Sequence, residues 1–185
     1  TELIYNHITL RVPGPEKHFL INPFGLHYSE VTASNLVKID LDGNPIGDSD
    51  YPVNLAGYVI HSAIHRHRND AHCIMHTHTT AGMAVACLED GLSHDNFYGA
   101  FLPHVAYHDF QGVTVDLSEQ EDLVSSLGQS DAMILRSHGL LSCGPDVARA
   151  FSTLWTLKRA CQIQLAAHSM NKAVLSLPEK AFHRT

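Results

Sequence analysis

Two short apolar runs that each lead to histidine restrict the fold of this chain more than any other feature of its sequence. Residues 71–75 suit a buried strand, and His76 and His78 follow two positions apart at its end. Side chains alternate between the two faces of a strand, so both imidazoles project from the same side. A second apolar run, residues 132–135, leads to His138, and the glycine after it would allow a sharp turn that aims the ring.

Three neutral imidazoles with an open position suit a catalytic Zn²⁺ or a similar divalent ion. We therefore predict a metal site on His76, His78 and His138. The chain has 15 histidines, so the alternative interpretation is a set of hydrogen-bonded core histidines. The strand-end placement of all three rings favours the metal site.

Length and composition are those of a globular protein. The chain has 185 residues, 44% of them hydrophobic, so we expect a single domain over residues 1–185 with a sizeable core. The net charge is −7 without a cluster of Lys and Arg, which argues against a nucleic-acid partner or an anionic membrane surface. No apolar run approaches the length of a membrane span. The four cysteines are scattered, so we expect reduced thiols, three of them buried, and a cytoplasmic protein.

The rest of the sequence predicts alternating strands and helices, and hence a layered α/β domain with a mixed sheet. Strands are expected at residues 4–12, 18–22, 37–41, 105–107 and 132–135, and helices at residues 54–68, 80–88, 118–128 and 145–168. Asn54 is the expected cap of the first helix, and residues 118–121 have the form of a capping box. Residues 93–102 are expected to be irregular.

Two helix faces carry further predictions. The basic segment 65–68 is interpreted as a solvated helix end, with His65 and His67 exposed. The long helix 145–168 is expected to bury one apolar stripe, which comprises Val147, Phe151, Leu154, Cys161 and Leu165. Trp155 lies partly off that stripe and would need a second partner.

At several of these places the sequence resembles the class II aldolase/adducin family, closest to its adducin-like branch. The matching segments are residues 5–9, 21–25, 53–57, 76–78, 106–109 and 136–140. The resemblance implies a three-layer helix–sheet–helix sandwich with a mixed, largely antiparallel central sheet, Zn²⁺ on the three histidines, and further helices before residue 1. It also implies a homo-oligomer, tetramer ahead of dimer, with its sites near subunit boundaries.

The sequence departs from the family where the aldolases carry their acid/base group. Those enzymes have a glutamate beside the metal at the position of Gly57, and this chain has no carboxylate there. His61 lies four residues later on the same helix face and is a candidate for the missing role, the alternative being polar packing. Tyr98 is a candidate for the tyrosine that protonates substrate, the alternative being aromatic packing. His108 is a further candidate near a strand end.

The phosphate-binding segments of the family are also altered. The usual hydroxyl pair is replaced by Asn22-Pro23-Phe24-Gly25, so most donors for a phosphate dianion are missing. Asn22 and Gly25 stay candidates for substrate binding. No G-x-G-x-x-G or Walker sequence is present, and no nucleotide cofactor is implied.

Two functions from different classes fit these residues. The first is a Zn²⁺-dependent lyase that breaks a C–C bond, by retro-aldol cleavage or decarboxylation, through a metal-stabilised enediolate of a small carbonyl or carboxylate substrate. The second is an adducin-like head module, in which the same fold serves oligomerisation or protein interaction without catalysis. The three histidines favour the enzyme, and the missing glutamate and phosphate donors favour the module.

Overall fold

The computed structural model describes residues 4–112, 118–178 and 180. The strands are β1 His7–Arg11, β2 Phe19–Ile21, β3 Val37–Ile39, β4 Cys73–Thr77, β5 Ala106–His108, β6 Ala132–Leu135 and β7 Gly139–Gly144. The α-helices are α1 Leu55–His67, α2 Thr80–Ala86, α3 Phe97–Ala100, α4 Glu119–Leu127 and α5 Val147–Ser169, with a short 3₁₀ helix at Tyr28–Glu30. None of the described helices is long and apolar enough to span a membrane.

The strands form one mixed sheet in the order β3-β2-β1-β4-β7-β6-β5. Only β5 and β6 pair in parallel, and the other neighbours are antiparallel. The central strand β4 therefore has β1 on one side and β7 on the other. The prediction of a largely antiparallel mixed sheet is confirmed.

Alternation along β4 divides the core into two layers. Cys73 and Met75 pack with α2 and α5 on one face of the sheet, and Ile74 packs with α1 and α4 on the other face. A third cluster joins α1 to β2 and β3. Helices thus cover both faces, which confirms the three-layer sandwich.

Several predicted elements need correction. The expected cap of α1 is present, because the Asn54 side chain accepts a hydrogen bond from the amide of Gly57. The capping box at the start of α4 is wrong, since Ser118 has helical backbone angles and its side chain does not cap the helix. The sequence reasoning also missed β7, whose six residues are all buried, and the single turn α3 inside the segment expected to be irregular.

The apolar stripe expected on α5 is partly wrong. Leu154 and Cys161 are buried as expected, but Val147, Phe151 and Leu165 are exposed. The buried stripe comprises Ala150, Thr153, Leu154, Leu157, Ala160, Cys161 and Gln164. These positions follow the 3.6-residue period, and the exposed apolar residues lie on another face of the helix.

The prediction of a solvated helix end at residues 65–68 is also partly wrong. His67 is exposed, but His65 is 0% exposed and Arg68 only 6%. The Arg68 guanidinium donates to both carboxylate oxygens of Asp70 and to the backbone carbonyls of Gly128 and Ser130. Arg68 therefore ties the end of α1 to the loop that precedes β6.

Candidate metal centre

The structure brings His76, His78 and His138 together, as the sequence predicted. Each ring offers a nitrogen, and these donor atoms all lie within 4.8 Å of one another. The ring centroids are 4.5 Å apart for His76 and His78, and 4.8 Å apart for each of them and His138. Among the described residues this is the only such group of histidine, cysteine and carboxylate side chains.

The turn between β6 and β7 carries His138 to the end of β4. Ser137 has a positive φ of 55°, so the sharp turn lies at this residue and not at Gly139 as expected. Gly139 is needed for a different reason. A Cβ at this position would lie 2.5 Å from the carbonyl oxygen of Thr77 and 3.1 Å from the rings of His76 and His78. The absence of a side chain at Gly139 therefore allows the turn to approach the two histidines.

The protonation of the rings suits a divalent cation. His76 donates from Nδ1 to the carbonyl of Leu140, so its Nε2 carries a lone pair that faces Nε2 of His78 at 2.8 Å. Burial and the neighbouring histidines hold the pKa of His76 well below its usual value, and burial lowers the pKa of His138 to about 4. Zn²⁺ or a similar ion requires neutral imidazoles, and it would displace the proton that lies between the two Nε2 atoms of His76 and His78.

A row of buried polar side chains connects β1 and α1 beside this centre. The His7 ring lies 4.7 Å from the His76 ring and its Nδ1 is 2.9 Å from Nε2 of His61. The Thr9 hydroxyl lies 2.7 Å from Nδ1 of His61 and 2.9 Å from Nε2 of His65. Sequence reasoning missed His7, Thr9 and His65. The available signal was the spacing: His7 and Thr9 are two apart on a strand, and His61 and His65 are four apart on a helix, so each pair lies on one face.

The candidate His61 therefore contacts the centre only through His7. Its other neighbour is Thr9, and burial holds its pKa well below the usual value. His108 lies in β5 and contacts Glu119 and Ser126 at 3.1 Å each.

The other candidates occupy different surroundings. Asn22 is buried, accepts a hydrogen bond from the amide of Ile8, and donates to the carbonyl of Asn6. Gly25 has a φ of 95° in the loop after β2, and no atom lies within 4 Å of the position that a Cβ would take. Tyr98 lies in α3, and its recorded ring contacts are with Phe97 and Trp155. Roles for these residues in substrate binding or catalysis stay predictions.

The fold and the site define an α/β/α sandwich protein with a three-histidine centre at the ends of its strands. Comparisons with known proteins identify its family. The Class II Aldolase and Adducin N-terminal domain profile matches residues 1–165. The chain belongs to the class II aldolase and adducin family, which confirms the resemblance seen in the sequence.

Three similar proteins represent this family. An aldolase II superfamily protein from Pseudomonas syringae is 48% identical with a TM-score of 0.94, covering 100% of this chain and 75% of that one. An L-fuculose 1-phosphate aldolase from Glaciozyma antarctica is 32% identical with a TM-score of 0.86, covering 98% and 71%. Alpha-adducin of Rattus norvegicus is 48% identical over 89% of this chain but only 23% of its own length.

Proposed function

We propose that this protein is a metal-dependent lyase that breaks a C–C bond in a small carbonyl or carboxylate compound. The main support is the convergence of His76, His78 and His138 at the ends of two neighbouring strands. The donor atoms of the three rings lie within 4.8 Å of one another, close enough to share one ion, and a divalent ion would take the place of the proton that His76 and His78 share between their Nε2 atoms.

The three histidines would hold the ion, and the chain's own contacts fix how they do so. The Leu140 carbonyl sets the tautomer of His76, and the amide of His78 donates to the Asn6 side chain, which holds the segment after β4 in place. A bound divalent ion would polarise an oxygen next to the bond that breaks and stabilise the negative charge that develops there.

The substrate is proposed to lack a sugar-phosphate group. Phe24 is 37% exposed where the family has a phosphate-binding hydroxyl, and Asn22 is occupied by backbone contacts. The 32% identity to an L-fuculose 1-phosphate aldolase makes that sugar phosphate the natural test compound. We expect weak or no cleavage of it, because losing a general base typically costs about 10²–10⁴-fold in rate.

A screen of metal-loaded protein tests the proposal. Zn²⁺-loaded and chelator-treated protein would be incubated with L-fuculose 1-phosphate and with non-phosphorylated hydroxy- and keto-carboxylates, and aldehyde or CO₂ release would be measured. The proposal expects metal-dependent release from a non-phosphorylated compound that His138→Ala abolishes. Robust turnover of the sugar phosphate would contradict the substrate assignment, and binding of metal without any turnover would favour the second function.

That second function is an adducin-like module for assembly or protein interaction. It is favoured by the 48% identity to alpha-adducin, which is as high as the identity to the bacterial aldolase II structure. The absence of a carboxylate at position 57 points the same way. Under this alternative, His76→Ala would alter stability or assembly but no reaction.

Under either function we propose a homo-oligomer, tetramer ahead of dimer. The support is a group of exposed aromatic side chains on α3 and α5, which comprises Phe97, Phe101, Phe151 and Trp155. Three ring contacts already connect parts of this surface, with centroids 5.0 to 5.3 Å apart. Exposed apolar surface of this kind is typical of subunit interfaces.

A further inference from the structure

The polar row between β1 and α1 is built from two matched spacings. On β1, positions two apart place His7, Thr9 and Arg11 on the face toward α1, and on α1, positions four apart place Gly57, His61 and His65 opposite them. His7 is only 2% exposed, and Thr9, His61 and His65 are fully buried. The row runs inward from the metal centre, so it is not required to hold the ion.

One end of the row determines where every proton lies. The carbonyl of Ala71 can only accept, and it lies 3.2 Å from Nδ1 of His65, so this nitrogen carries the proton. Burial lowers the pKa of His65 to about 3, and the nearby Arg11 charge acts in the same direction, so the ring is neutral. The Arg11 guanidinium lies 3.5 Å from the same nitrogen and donates instead to the His65 carbonyl. Nε2 of His65 is therefore an acceptor.

The order then passes along the row. The Thr9 hydroxyl has one proton, which it donates to Nε2 of His65, so it accepts from Nδ1 of His61. His61 is neutral because of its burial, so its Nε2 has no proton and accepts from Nδ1 of His7. Because Nδ1 of His7 donates to His61, a single ring proton of His7 lies on Nδ1 and leaves Nε2 as the acceptor. Among the described residues no hydrogen bond joins this nitrogen to a partner, and the His7 ring lies tilted by 32° against the His76 ring with centroids 4.7 Å apart.

The His7 ring also occupies the space of the missing family side chain. A Cβ on Gly57 would lie 2.9 Å from Cγ of His7, closer than real Cβ atoms come, and 3.2 Å from its Cδ2, which is also a tight contact. A residue larger than glycine at position 57 would therefore force the His7 ring to move from its observed place. Glycine at position 57 leaves room for an imidazole supplied by β1.

We propose that His7 takes the place of the family's glutamate at position 57, as a hydrogen-bond acceptor that binds a substrate hydroxyl beside the metal. His61, Thr9 and His65 are positioning residues that keep Nε2 of His7 free of a proton. The binding role rests on the proposed metal-dependent function, whereas the order of protons does not.

The charge of this arrangement indicates the substrate class. The three proposed ligands are all imidazoles, so none of them offsets the charge of a divalent ion, whereas a glutamate beside the metal would offset part of it. An anionic group is then the better ligand. A 2-hydroxycarboxylate fits both features, because its carboxylate suits the ion and its hydroxyl can donate to His7.

Nuclear magnetic resonance tests the proton order without any activity or metal. Long-range ¹H–¹⁵N correlation spectra of protein labelled in its histidine rings distinguish protonated from bare nitrogens, and His7→Phe assigns the His7 signals. We expect a protonated Nδ1 and a bare Nε2 in the wild type. Thr9→Ser keeps the hydroxyl and should leave this pattern unchanged. Thr9→Val removes the acceptor of His61, so the His61 proton should move to Nε2 and the His7 proton from Nδ1 to Nε2.

Binding of two small anions tests the role of His7. Glycolate and acetate differ by one hydroxyl, and calorimetry on the Zn²⁺-loaded protein should show glycolate binding about three- to tenfold more tightly, the size of one hydrogen bond. Thr9→Ser should keep this preference, and Thr9→Val should remove it although it leaves the metal ligands and His7 unchanged.

The outcomes distinguish a failure of the role proposed for His7 from a failure of the proposed metal-dependent function. A His7 protonated on Nε2 in the wild type overturns the proton order, and equal binding of both anions by the metal-loaded wild type overturns the binding role. A protein that binds no Zn²⁺ would refute the proposed function together with the binding role, whereas the proton order would still be decided by the spectra.

Discussion

Substitution of Gly139 by alanine should weaken the metal centre without removing a ligand. The added Cβ would lie 2.5 Å from the carbonyl oxygen of Thr77, about 1 Å closer than ordinary non-bonded contacts. The partner atom is backbone in a sheet of seven strands, so it cannot rotate away. The turn that carries His138 must therefore move away from β4.

We expect two measurable effects of Gly139→Ala. Overpacking of a buried position should lower the free energy of unfolding of the metal-free protein by about 1–3 kcal/mol, read from urea titration at fixed protein concentration. Displacement of the turn should also weaken Zn²⁺ binding by about 10–100-fold, the range seen when the support of a metal ligand is lost.

Gly47→Ala is the matched control. Gly47 has a positive φ of 90°, unlike Gly139, and no atom lies within 4 Å of the position of its Cβ. The Gly47→Ala protein should lose about 1 kcal/mol of stability through backbone strain and keep the Zn²⁺ affinity of the wild type. Equal Zn²⁺ affinity for the wild type and Gly139→Ala would refute the reasoning, since it would mean that the approach of the turn does not set the geometry of the centre.

Further predictions address stability and assembly. Arg68→Met should cost about 2 kcal/mol at pH 7, because the backbone carbonyls of Gly128 and Ser130 and the Asp70 carboxylate lose a charged donor. The hydrogen bond from Arg68 lowers the pKa of Asp70 to about 2, so the stability that this pair adds should disappear in the wild type as pH falls from about 4 to 2. The pKa of buried His65 is lowered to about 3, so the metal-free protein should become less stable as pH falls below about 6.5. Urea titrations at several pH values should show that the free energy of unfolding changes less with pH in His65→Gln than in the wild type. Phe151→Glu with Trp155→Glu should reduce the mass measured by light scattering; a wild-type mass near 20.4 kDa would contradict the oligomer.

The convergence of His76, His78 and His138 could be predicted from the sequence because local rules are sufficient for it. His76 and His78 share one strand end, so their common direction follows from the two-residue alternation alone. His138 needed only the recognition of a second buried run. The layers of the fold followed from the same alternation and from the apolar spacing of α1, on which Ile60 and Ile64 are buried.

The row beside the centre could not be predicted in this way, because it depends on two elements distant in sequence. His65 stands in a basic segment that is typical of an exposed helix end, and its burial results from contacts with β1 and Phe19. The proposed replacement of a glutamate at position 57 by His7 likewise depends on the register of β1 against β4, which pairs His7 with His76. The missed β7 and the misplaced stripe of α5 share this cause, since the packing partner decides which face is buried.

Metal analysis of protein purified without a histidine tag tests the central claim most directly. After dialysis against Zn²⁺ and removal of the excess, elemental analysis should find close to one zinc per chain in the wild type. The double variant His76→Ala, His78→Ala should contain almost none. Zinc retained equally by the wild type and the double variant, or by neither, would contradict a metal centre on His76, His78 and His138.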